Sequence, residues 1–427
     1  MIASSWLLRC VDCEKTFDAL EARTRCGCGG TLDVRLDLEA LRGRVSRSTF
    51  DSRLASRRPE DRSGVWRFRE LVLPLDPGAI VTKPEGNTNL YRSRELAVWA
   101  GIENLALKHE GENPTGSFKD RGMTVGISMA RRLRMDRVAC ASTGNTSASM
   151  ASYAAACGMT AYVFIPEGNV AFGKLSQALA YGARTIQIAG DFDAAMRLAE
   201  EVCARHGVYL LNSVNPYRIE GQKAIAFELL QDLSWDVPDW IVLPGGNLGN
   251  SSAIAKGLSE LAELGLIPRL PRIAVIQAEG ANPLYTAFRT GAPLAPVPEP
   301  RTIATAIRIG DPVSWKKCLR GLRATRGTVE QVSDQEIMDA KAKLDASGIG
   351  AEPASCATLA GVRKLVLSGT IAPGESVCGI LTGHLLKDPE AVVGYHRGTL
   401  PGIRAARANP PVSVPATLAA VVAAMGL

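Results

Sequence analysis

The feature that most limits the fold of this chain is a regular alternation of short apolar runs with longer helix-like segments after about residue 100. The apolar runs show almost no polar alternation, which is typical of strands covered by helices on both faces. This order predicts an α/β protein with two layered domains and mostly parallel sheets. Strands are predicted at 104–108, 138–142, 161–165, 185–188, 208–212, 240–243, 273–277 and 377–381.

The segments between these runs carry helical periodicity and helix-start signals. Ser333 and Glu336 form the sequence pattern of a capping box, which predicts that a helix begins there. A last apolar helix is predicted after the proline-containing tail at 408–415, and the proline-rich stretch 291–300 is predicted to be a loop. Further helices are predicted at 146–157, 170–181, 192–206, 218–232 and 251–264.

Length and composition exclude several classes of protein. A chain of 427 residues is too long for one simple core, and 46% hydrophobic with 22% charged residues is typical of a globular protein. No apolar stretch is long enough to span a membrane, and the apolar N-terminal stretch is too short for a signal peptide. We therefore expect a cytoplasmic protein with no membrane partner.

Much of the net charge of +6 comes from arginines that follow the N-terminal segment. These arginines are not interleaved with aromatics in a known binding motif, so we expect no nucleic-acid partner and predict a solvated, partly helical connector. The predicted division is an N-terminal Cys-rich segment (1–40), an Arg-rich connector (41–81), a catalytic region (82–400) and a C-terminal tail with a helix (401–427). Within the catalytic region, about 113–212 is expected to form a smaller mobile domain.

Four polar segments follow predicted strands, where open α/β sheets place their ligands. The first is the run from Glu112 to Gly122, ENPTGSFKDRG. Thr115 and Ser117 are predicted to cap a helix that begins near Phe118, which places Lys119 in its first turn. A lysine that forms a Schiff base must be neutral part of the time, through burial or neighbouring charge. A solvated lysine at a helix start is the alternative.

The other three segments offer hydrogen-bond donors to anions. STGNTSAS at 142–149 opens a helix, so its N–H groups and the helix dipole favour a carboxylate or phosphate, although an ordinary capped turn is also compatible. PGGNLGN at 244–250 predicts a nest of N–H donors for phosphate, with a tight turn as the alternative. It lacks the lysine of a Walker loop. LTGHLLKDP at 381–389 places the Thr382 hydroxyl at a strand end.

Together these motifs resemble the tryptophan-synthase-β-like, or fold type II, pyridoxal phosphate (PLP) enzymes, and among them the threonine synthases. The resemblance runs from about Thr82 to Leu400. It also includes NSVNPYR at 212–218, ATAIRIGDPVSW at 304–315 and EPAS at 352–355.

The resemblance implies a role for each matched residue. Lys119 would hold PLP as a Schiff base, Asn145 would bond the cofactor's 3-hydroxyl, and Thr382 would face the pyridine nitrogen. The cofactor phosphate would bind at Gly246, Asn247, Leu248, Gly249 and Asn250. The substrate's own phosphate would bind at Ser142, Thr146, Asn212 and Arg218, with Lys174 a weaker candidate.

The implied activity is that of a lyase of threonine biosynthesis, which converts O-phospho-L-homoserine and water to L-threonine and phosphate. Lys119 would move protons among Cα, Cβ and Cγ. A β-replacement on O-phosphoserine and a serine or threonine dehydratase are the enzymatic alternatives, and a non-catalytic binding protein is the remaining one. O-phosphoserine is one methylene shorter, a difference of only about 1–3 kcal/mol, so the sequence separates these substrates poorly. A homodimer is expected.

The ten cysteines fall into two groups. Cys10, Cys13, Cys26 and Cys28 resemble the small zinc-ribbon knuckles that some threonine synthases carry. Four thiolates suit structural zinc, but the second pair has one intervening residue where paired ligands usually have two. Both structural zinc and a degenerate knuckle of free thiols are therefore open. Six others lie in apolar segments and are predicted to pack in the core: Cys140, Cys157, Cys203, Cys318, Cys356 and Cys378.

Overall fold

The computed structural model describes residues 6–168 and 172–427, with the side chains of the second range described from residue 175 onward. It is an α/β protein with mostly parallel sheets, as predicted. The described residues form three sheets, and the smallest, at the N-terminus, carries the four clustered cysteines on its first strand and its connecting loops. In these two ranges no helix is both long and apolar enough to cross a membrane.

The largest sheet has the strand order β12-β11-β10-β13-β5-β4, and all of its pairs are parallel except β4 with β5. A second sheet, with the order β8-β7-β6-β9, is wholly parallel. The N-terminal sheet is antiparallel with the order β2-β1-β3. The strands are β1 Trp6–Cys10, β2 Thr16–Phe17, β3 Leu32–Leu36, β4 Leu90–Tyr91, β5 Asn104–His109, β6 Arg137–Ala141, β7 Thr160–Pro166, β8 Arg184–Ile188, β9 Tyr209–Leu210, β10 Trp240–Pro244, β11 Arg272–Ala278, β12 Thr328–Val332 and β13 Ser376–Leu381.

Helices cover both larger sheets, so the inner strands β6, β10, β11 and β13 are almost continuously buried, whereas the edge strand β8 is partly exposed. The capping box at Ser333 and Glu336 is confirmed, with both of its hydrogen bonds present. The predicted helix at 192–206 has the bounds of α9, and the predicted final apolar helix is α17. The helices are α1 Leu38–Leu41, α2 Arg47–Ser52, α3 Pro59–Arg62, α4 Arg69–Val72, α5 Arg94–Ala100, α6 Lys119–Arg132, α7 Asn145–Ala156, α8 Phe172–Ala180, α9 Phe192–His206, α10 Pro216–Asp232, α11 Gly249–Glu263, α12 Pro283–Thr290, α13 Trp315–Ala324, α14 Asp334–Ala346, α15 Pro353–Leu367, α16 Pro389–Arg397 and α17 Leu418–Met425.

The prediction of a solvated Arg-rich connector is wrong for the second half of that segment. Trp66 and Phe68 have no exposed surface, and Arg67 between them is only 3% exposed. The Trp66 indole N–H donates to Thr124 Oγ1 of α6 at 2.8 Å. The segment therefore packs against the helix that Lys119 begins, because its aromatic residues outweigh its charges in deciding what is buried.

A buried ion network fixes α6 against α10. The Arg121 guanidinium, two residues after Lys119, donates to Glu110 at 2.6 Å and to Glu228 at 2.8 Å. Lys108 Nζ reaches the same Glu228 carboxylate at 2.7 Å. Removing one member of such a network leaves an uncompensated buried charge, so the network holds the position of α6 tightly.

The prediction that six cysteines pack in the core is confirmed for four of them. Cys140, Cys318, Cys356 and Cys378 are buried, whereas Cys157 and Cys203 are half-buried. Cys157 follows the last residue of α7, and Cys203 lies on α9, a helix whose residues are mostly exposed.

Candidate active site

Lys119 is the first residue of α6, and its loop is joined directly to the loop after β13. The Phe118 N–H donates to the Thr382 carbonyl at 3.0 Å, and the His384 N–H donates to the Gly116 carbonyl at 2.9 Å. Two strand ends of the large sheet, those of β5 and β13, thereby place Lys119 and Thr382 side by side. This edge of the sheet is where parallel α/β folds bind ligands.

The predicted capping of this helix by Thr115 and Ser117 is wrong. The cap residue is Phe118, which makes no side-chain capping bond. The Thr115 hydroxyl instead donates to the buried Asp120 carboxylate at 2.6 Å, which also accepts from Ser149 Oγ at 2.5 Å. Ser117 Oγ is buried and has no partner in the part of the chain that the structure describes, so it is available to a ligand.

The environment of Lys119 favours the neutral amine. Burial and, to a smaller extent, the nearby Arg218 guanidinium lower the pKa of Lys119 to about 7, although Glu352 opposes both effects. Lys119 as a residue is nonetheless half-buried rather than fully enclosed. A lysine with this pKa has a substantial neutral fraction near pH 7, which nucleophilic attack on a carbonyl carbon requires.

The predicted phosphate loop lies between β10 and α11. Leu248 takes a left-handed conformation with φ of 61°, and α11 begins at the next residue. Asn250 is 7% exposed, and both polar atoms of its amide are buried without a partner among the described residues. A Cβ at Gly246 would lie 3.1 Å from the backbone of Ile307. The close backbone, the free amide and the unpaired N–H groups of a helix start fit a phosphate group.

Asn145 and Thr382 lie on either side of a buried carboxyl group, that of Glu352. Asn145, the first residue of α7, donates from Nδ2 to Glu352 Oε2 at 3.2 Å. Thr382 Oγ1 is 3.5 Å from Glu352 Oε1 and 3.0 Å from Ser355 Oγ. Burial raises the pKa of the Glu352 carboxyl. Two residues predicted to bind different polar groups of one ring, the 3-hydroxyl and the nitrogen, are thus connected by a residue that the sequence did not assign.

Arg218 carries a buried charge that has no carboxylate partner among the described residues. It is 3% exposed, its Nη1 donates to the Leu211 carbonyl at 3.0 Å, and its Nε is unpaired. Burial lowers the pKa of Arg218 to about 10. Since an isolated buried cation is costly, this arrangement predicts an anion as the missing partner.

The other three residues predicted to bind the substrate's phosphate differ in whether their side chains already have hydrogen-bond partners. Asn212 binds the backbone of Ala141 with both ends of its amide, each at 2.9 Å, and so holds the end of β6 in place. Ser142 Oγ accepts from the Gly144 N–H at 3.2 Å, and Thr146 is half-buried in the first turn of α7. The side chain of Lys174 lies outside the described residues. A direct contact of these residues with substrate stays a prediction.

The family comparison covers most of this site. Residues 81–383, which include Lys119, the 245–250 loop and Thr382, match the model of a family described as "Pyridoxal-phosphate dependent enzyme". The chain belongs to this family of pyridoxal-phosphate dependent enzymes. Its cofactor is therefore PLP, and the lysine, the phosphate loop and the buried polar groups described above fit that group.

Several proteins with similar sequences are named threonine synthase. The chain is 46% identical to a threonine synthase of Methanocaldococcus jannaschii, with 91% of this chain and 94% of that protein covered. It is 47% identical to a threonine synthase of Methanosarcina acetivorans, with 90% and 93% covered. Chloroplastic threonine synthase 2 of Arabidopsis thaliana is 40% identical, with 93% and 79% covered.

Solved structures of similar fold include a serine racemase and a threonine deaminase. Maize serine racemase gives a TM-score of 0.64 at 22% identity, with 78% of this chain and 96% of that chain covered. Threonine deaminase isoform 2 of Solanum lycopersicum gives 0.64 at 20% identity, with 77% and 92% covered. At these identities the likeness shows the fold alone.

Proposed function

We propose that this PLP enzyme is a threonine synthase, which converts O-phospho-L-homoserine and water to L-threonine and phosphate. The names of its relatives at 40–47% identity support this activity. The structural observation that carries the proposal is Arg218, a buried cation without a carboxylate partner among the described residues, close enough to Lys119 to lower its pKa. A planar guanidinium is suited to bind a phosphate group.

When bound, PLP supplies the electron sink that makes protons on the substrate's carbon chain labile. Lys119 would hold the cofactor and then act as the acid and base that moves protons at Cα, Cβ and Cγ. Its lowered pKa suits both roles, because near neutral pH the amine and ammonium forms are both populated. Loss of the γ-phosphate and addition of water at Cβ complete the balanced reaction.

Two helix starts would orient the substrate around Lys119. The first turn of α7, with Thr146, and the first turn of α10, with Arg218, both present positive dipole ends. The phosphate would bind at Arg218, where it neutralises the buried charge, and would leave from there. Thr382 offers a hydroxyl rather than a carboxylate at the ring nitrogen, so it would not stabilise a protonated ring.

The direct test compares substrates of different length on the purified holoenzyme. We expect O-phospho-L-homoserine to yield threonine and phosphate in equal amounts, and O-phospho-L-serine to react at least about tenfold less efficiently, since one methylene is worth about 1–3 kcal/mol. L-Serine and L-threonine, which lack phosphate, serve as dehydratase controls and should release little ammonia. Preference for O-phosphoserine would instead support the β-replacement alternative.

We also propose that the N-terminal cysteines hold a structural zinc ion. The sulfur atoms of Cys10, Cys13, Cys26 and Cys28 all lie within 4.8 Å of one another. The Cys10–Cys28 and Cys13–Cys26 sulfur pairs are 3.5 Å apart, close to the edge of about 3.8 Å of a tetrahedron with zinc–sulfur bonds of about 2.3 Å. The short second pair is therefore compatible with a four-thiolate site.

Metal analysis of the purified protein tests this zinc site. We expect about one equivalent of zinc, and we expect the double variant Cys13→Ser, Cys28→Ser to lose it because a structural site needs all four thiolates. Cys157→Ser is the matched control, a half-buried cysteine outside the cluster, and should keep the metal. Less than about a tenth of an equivalent in the unsubstituted protein would contradict the proposal.

The remaining sequence-based statements stay predictions. They are the cytoplasmic location, the homodimer, and the motion of the smaller domain expected at about 113–212. The four-stranded sheet and its helices α7, α8 and α9 fall within that range. Glu352 lies outside this range and accepts a hydrogen bond from Asn145, which lies inside it. Closure of the smaller domain over substrate would therefore change the length of this hydrogen bond.

A further inference from the structure

The hydroxyl groups of Ser355 and Thr382 lie 3.0 Å apart where β13 ends against α15. Ser355 has no exposed surface and Thr382 is 4% exposed. A serine hydroxyl has one proton and two lone pairs. Both lone pairs of Ser355 Oγ are occupied, because the backbone N–H groups of Thr382 and Gly383 donate to it at 2.8 and 2.9 Å. Ser355 can therefore take part in a third hydrogen bond only as a donor.

Two acceptors lie within reach of the Ser355 proton. Thr382 Oγ1 is the nearer at 3.0 Å. The Gly383 carbonyl oxygen is 3.4 Å away and already accepts from the Glu352 N–H at 3.1 Å. Since an O–H···O bond is normally about 2.7–2.8 Å and weakens as it lengthens, the proton points to Thr382. Thr382 Oγ1 is thus an acceptor from Ser355, and its own proton must point elsewhere.

Glu352 is the side chain of the described residues that could take the Thr382 proton, but it is a poor acceptor. Its Oε1 is 3.5 Å from Thr382 Oγ1, at the limit of a hydrogen bond. The same carboxyl group also accepts from Asn145 Nδ2. Burial raises its pKa, which favours the neutral acid, a weaker acceptor than the carboxylate. The Thr382 proton is therefore left for a ligand.

We propose that Ser355 is a positioning residue that fixes Thr382 as a hydrogen-bond donor to the cofactor's ring nitrogen and so keeps that nitrogen unprotonated. The inference rests on the proposed assignment of Thr382 to the ring nitrogen. While Ser355 donates to one lone pair of Thr382 Oγ1, the Thr382 proton cannot point towards residue 355. Without Ser355 this hydroxyl can rotate, so that its proton turns towards residue 355 or Glu352 and a lone pair faces the ring nitrogen, where it can accept from a protonated ring. Ser355 acts through Thr382 and needs no contact with the cofactor.

The test is nitrogen-15 NMR of the holoenzyme loaded with PLP that is labelled at the ring nitrogen. In the unsubstituted protein the signal is expected at the position of a neutral, hydrogen-bonded pyridine at neutral pH. Ser355→Ala should move it towards the pyridinium position, and Ser355→Thr, which keeps the hydroxyl, should return it. If Ser355→Ala does not fold, Ser355→Cys is used instead, because a thiol is a weak donor and should shift the signal in the same direction.

Thr358→Val is the matched structural control. Thr358 lies on the same helix, has no exposed surface, and donates to the Ile380 carbonyl of β13 at 3.0 Å. Its loss also loosens α15 from β13 but should leave the nitrogen signal in place. A similar shift in Thr358→Val and Ser355→Ala would reduce Ser355 to a packing role and overturn the inference.

Thr382→Val distinguishes the role of Ser355 from that of Thr382. A changed nitrogen signal in Thr382→Val with none in Ser355→Ala would overturn the role of Ser355 and leave that of Thr382 standing. No change in either variant would overturn both. These spectra need no substrate, so a wrong assignment of O-phosphohomoserine would be seen in the activity assay and not here.

Discussion

Lys119→Ala is expected to remove the visible absorbance of bound PLP and to lower turnover of O-phosphohomoserine by at least about 10²–10⁴-fold, the range that one acid–base group supplies. The loss should be larger still because the same side chain holds the cofactor. Absorbance spectra and phosphate release measure the two effects. Lys343→Ala is the control, since Lys343 pairs with Glu95 on α5, away from the site, and should retain both signals. A Lys119→Ala protein with an unchanged spectrum would contradict the assignment.

The lowered pKa of Lys119 adds a pH dependence to this prediction. Only the neutral amine attacks the aldehyde of PLP, and a free lysine is almost wholly protonated below about pH 9. Because burial lowers the pKa of Lys119 to about 7, the rate at which the apoprotein captures PLP should rise with pH around 7 and level off above it. A rate that is still rising steeply at about pH 9–10 would show an unperturbed lysine.

Arg218→Met is expected to lower the catalytic efficiency strongly without lowering the thermal stability of the protein. Loss of a desolvated charge pair with phosphate should raise the activation free energy for O-phosphohomoserine by about 2–5 kcal/mol. This increase corresponds to a fall in kcat/KM of about 30- to 5,000-fold. The thermal midpoint should stay constant or rise, because the substitution removes an unpaired buried charge that is 3% exposed. Steady-state kinetics and thermal melts measure the two effects.

Arg137→Met provides the matched control for Arg218→Met. Arg137 begins β6 with an exposed side chain and an exposed partner, Asp136, so both quantities should be nearly unchanged. A loss of less than about threefold for Arg218→Met would contradict a phosphate contact. A fall in the thermal midpoint that matches the loss of activity would assign Arg218 to the structure instead.

The parts of the site that could be predicted from sequence are those that depend on local conformation. The 245–250 loop follows a buried strand and has glycines where the backbone must approach a ligand, and Lys119 lies at a helix start in a run with many turn residues. The capping prediction failed because Thr115 binds Asp120 across the turn, which capping preferences do not reveal. Composition also misjudged the connector, where Trp66 and Phe68 are buried among arginines.

The rest of the site depends on tertiary contacts. Glu352 and Ser355 lie on α15, and Asn145 and Thr382 reach them from α7 and the end of β13, more than twenty-five residues away in sequence in each case. No local pattern states that Glu352 is buried between two side chains or that both lone pairs of Ser355 are occupied. Motif resemblance marked the EPAS segment but gave it no role. Only the three-dimensional arrangement brings the Ser355 and Thr382 hydroxyls within hydrogen-bonding distance.

The most direct test of the proposed activity is the fate of water oxygen in the reaction. The holoenzyme is supplied with O-phospho-L-homoserine in oxygen-18 water, and both products are analysed by mass spectrometry. Addition of water at Cβ after loss of the γ-phosphate predicts one oxygen-18 in the threonine hydroxyl and none in the phosphate. Homoserine together with oxygen-18 in the phosphate would show phosphate-ester hydrolysis, and would contradict a threonine synthase.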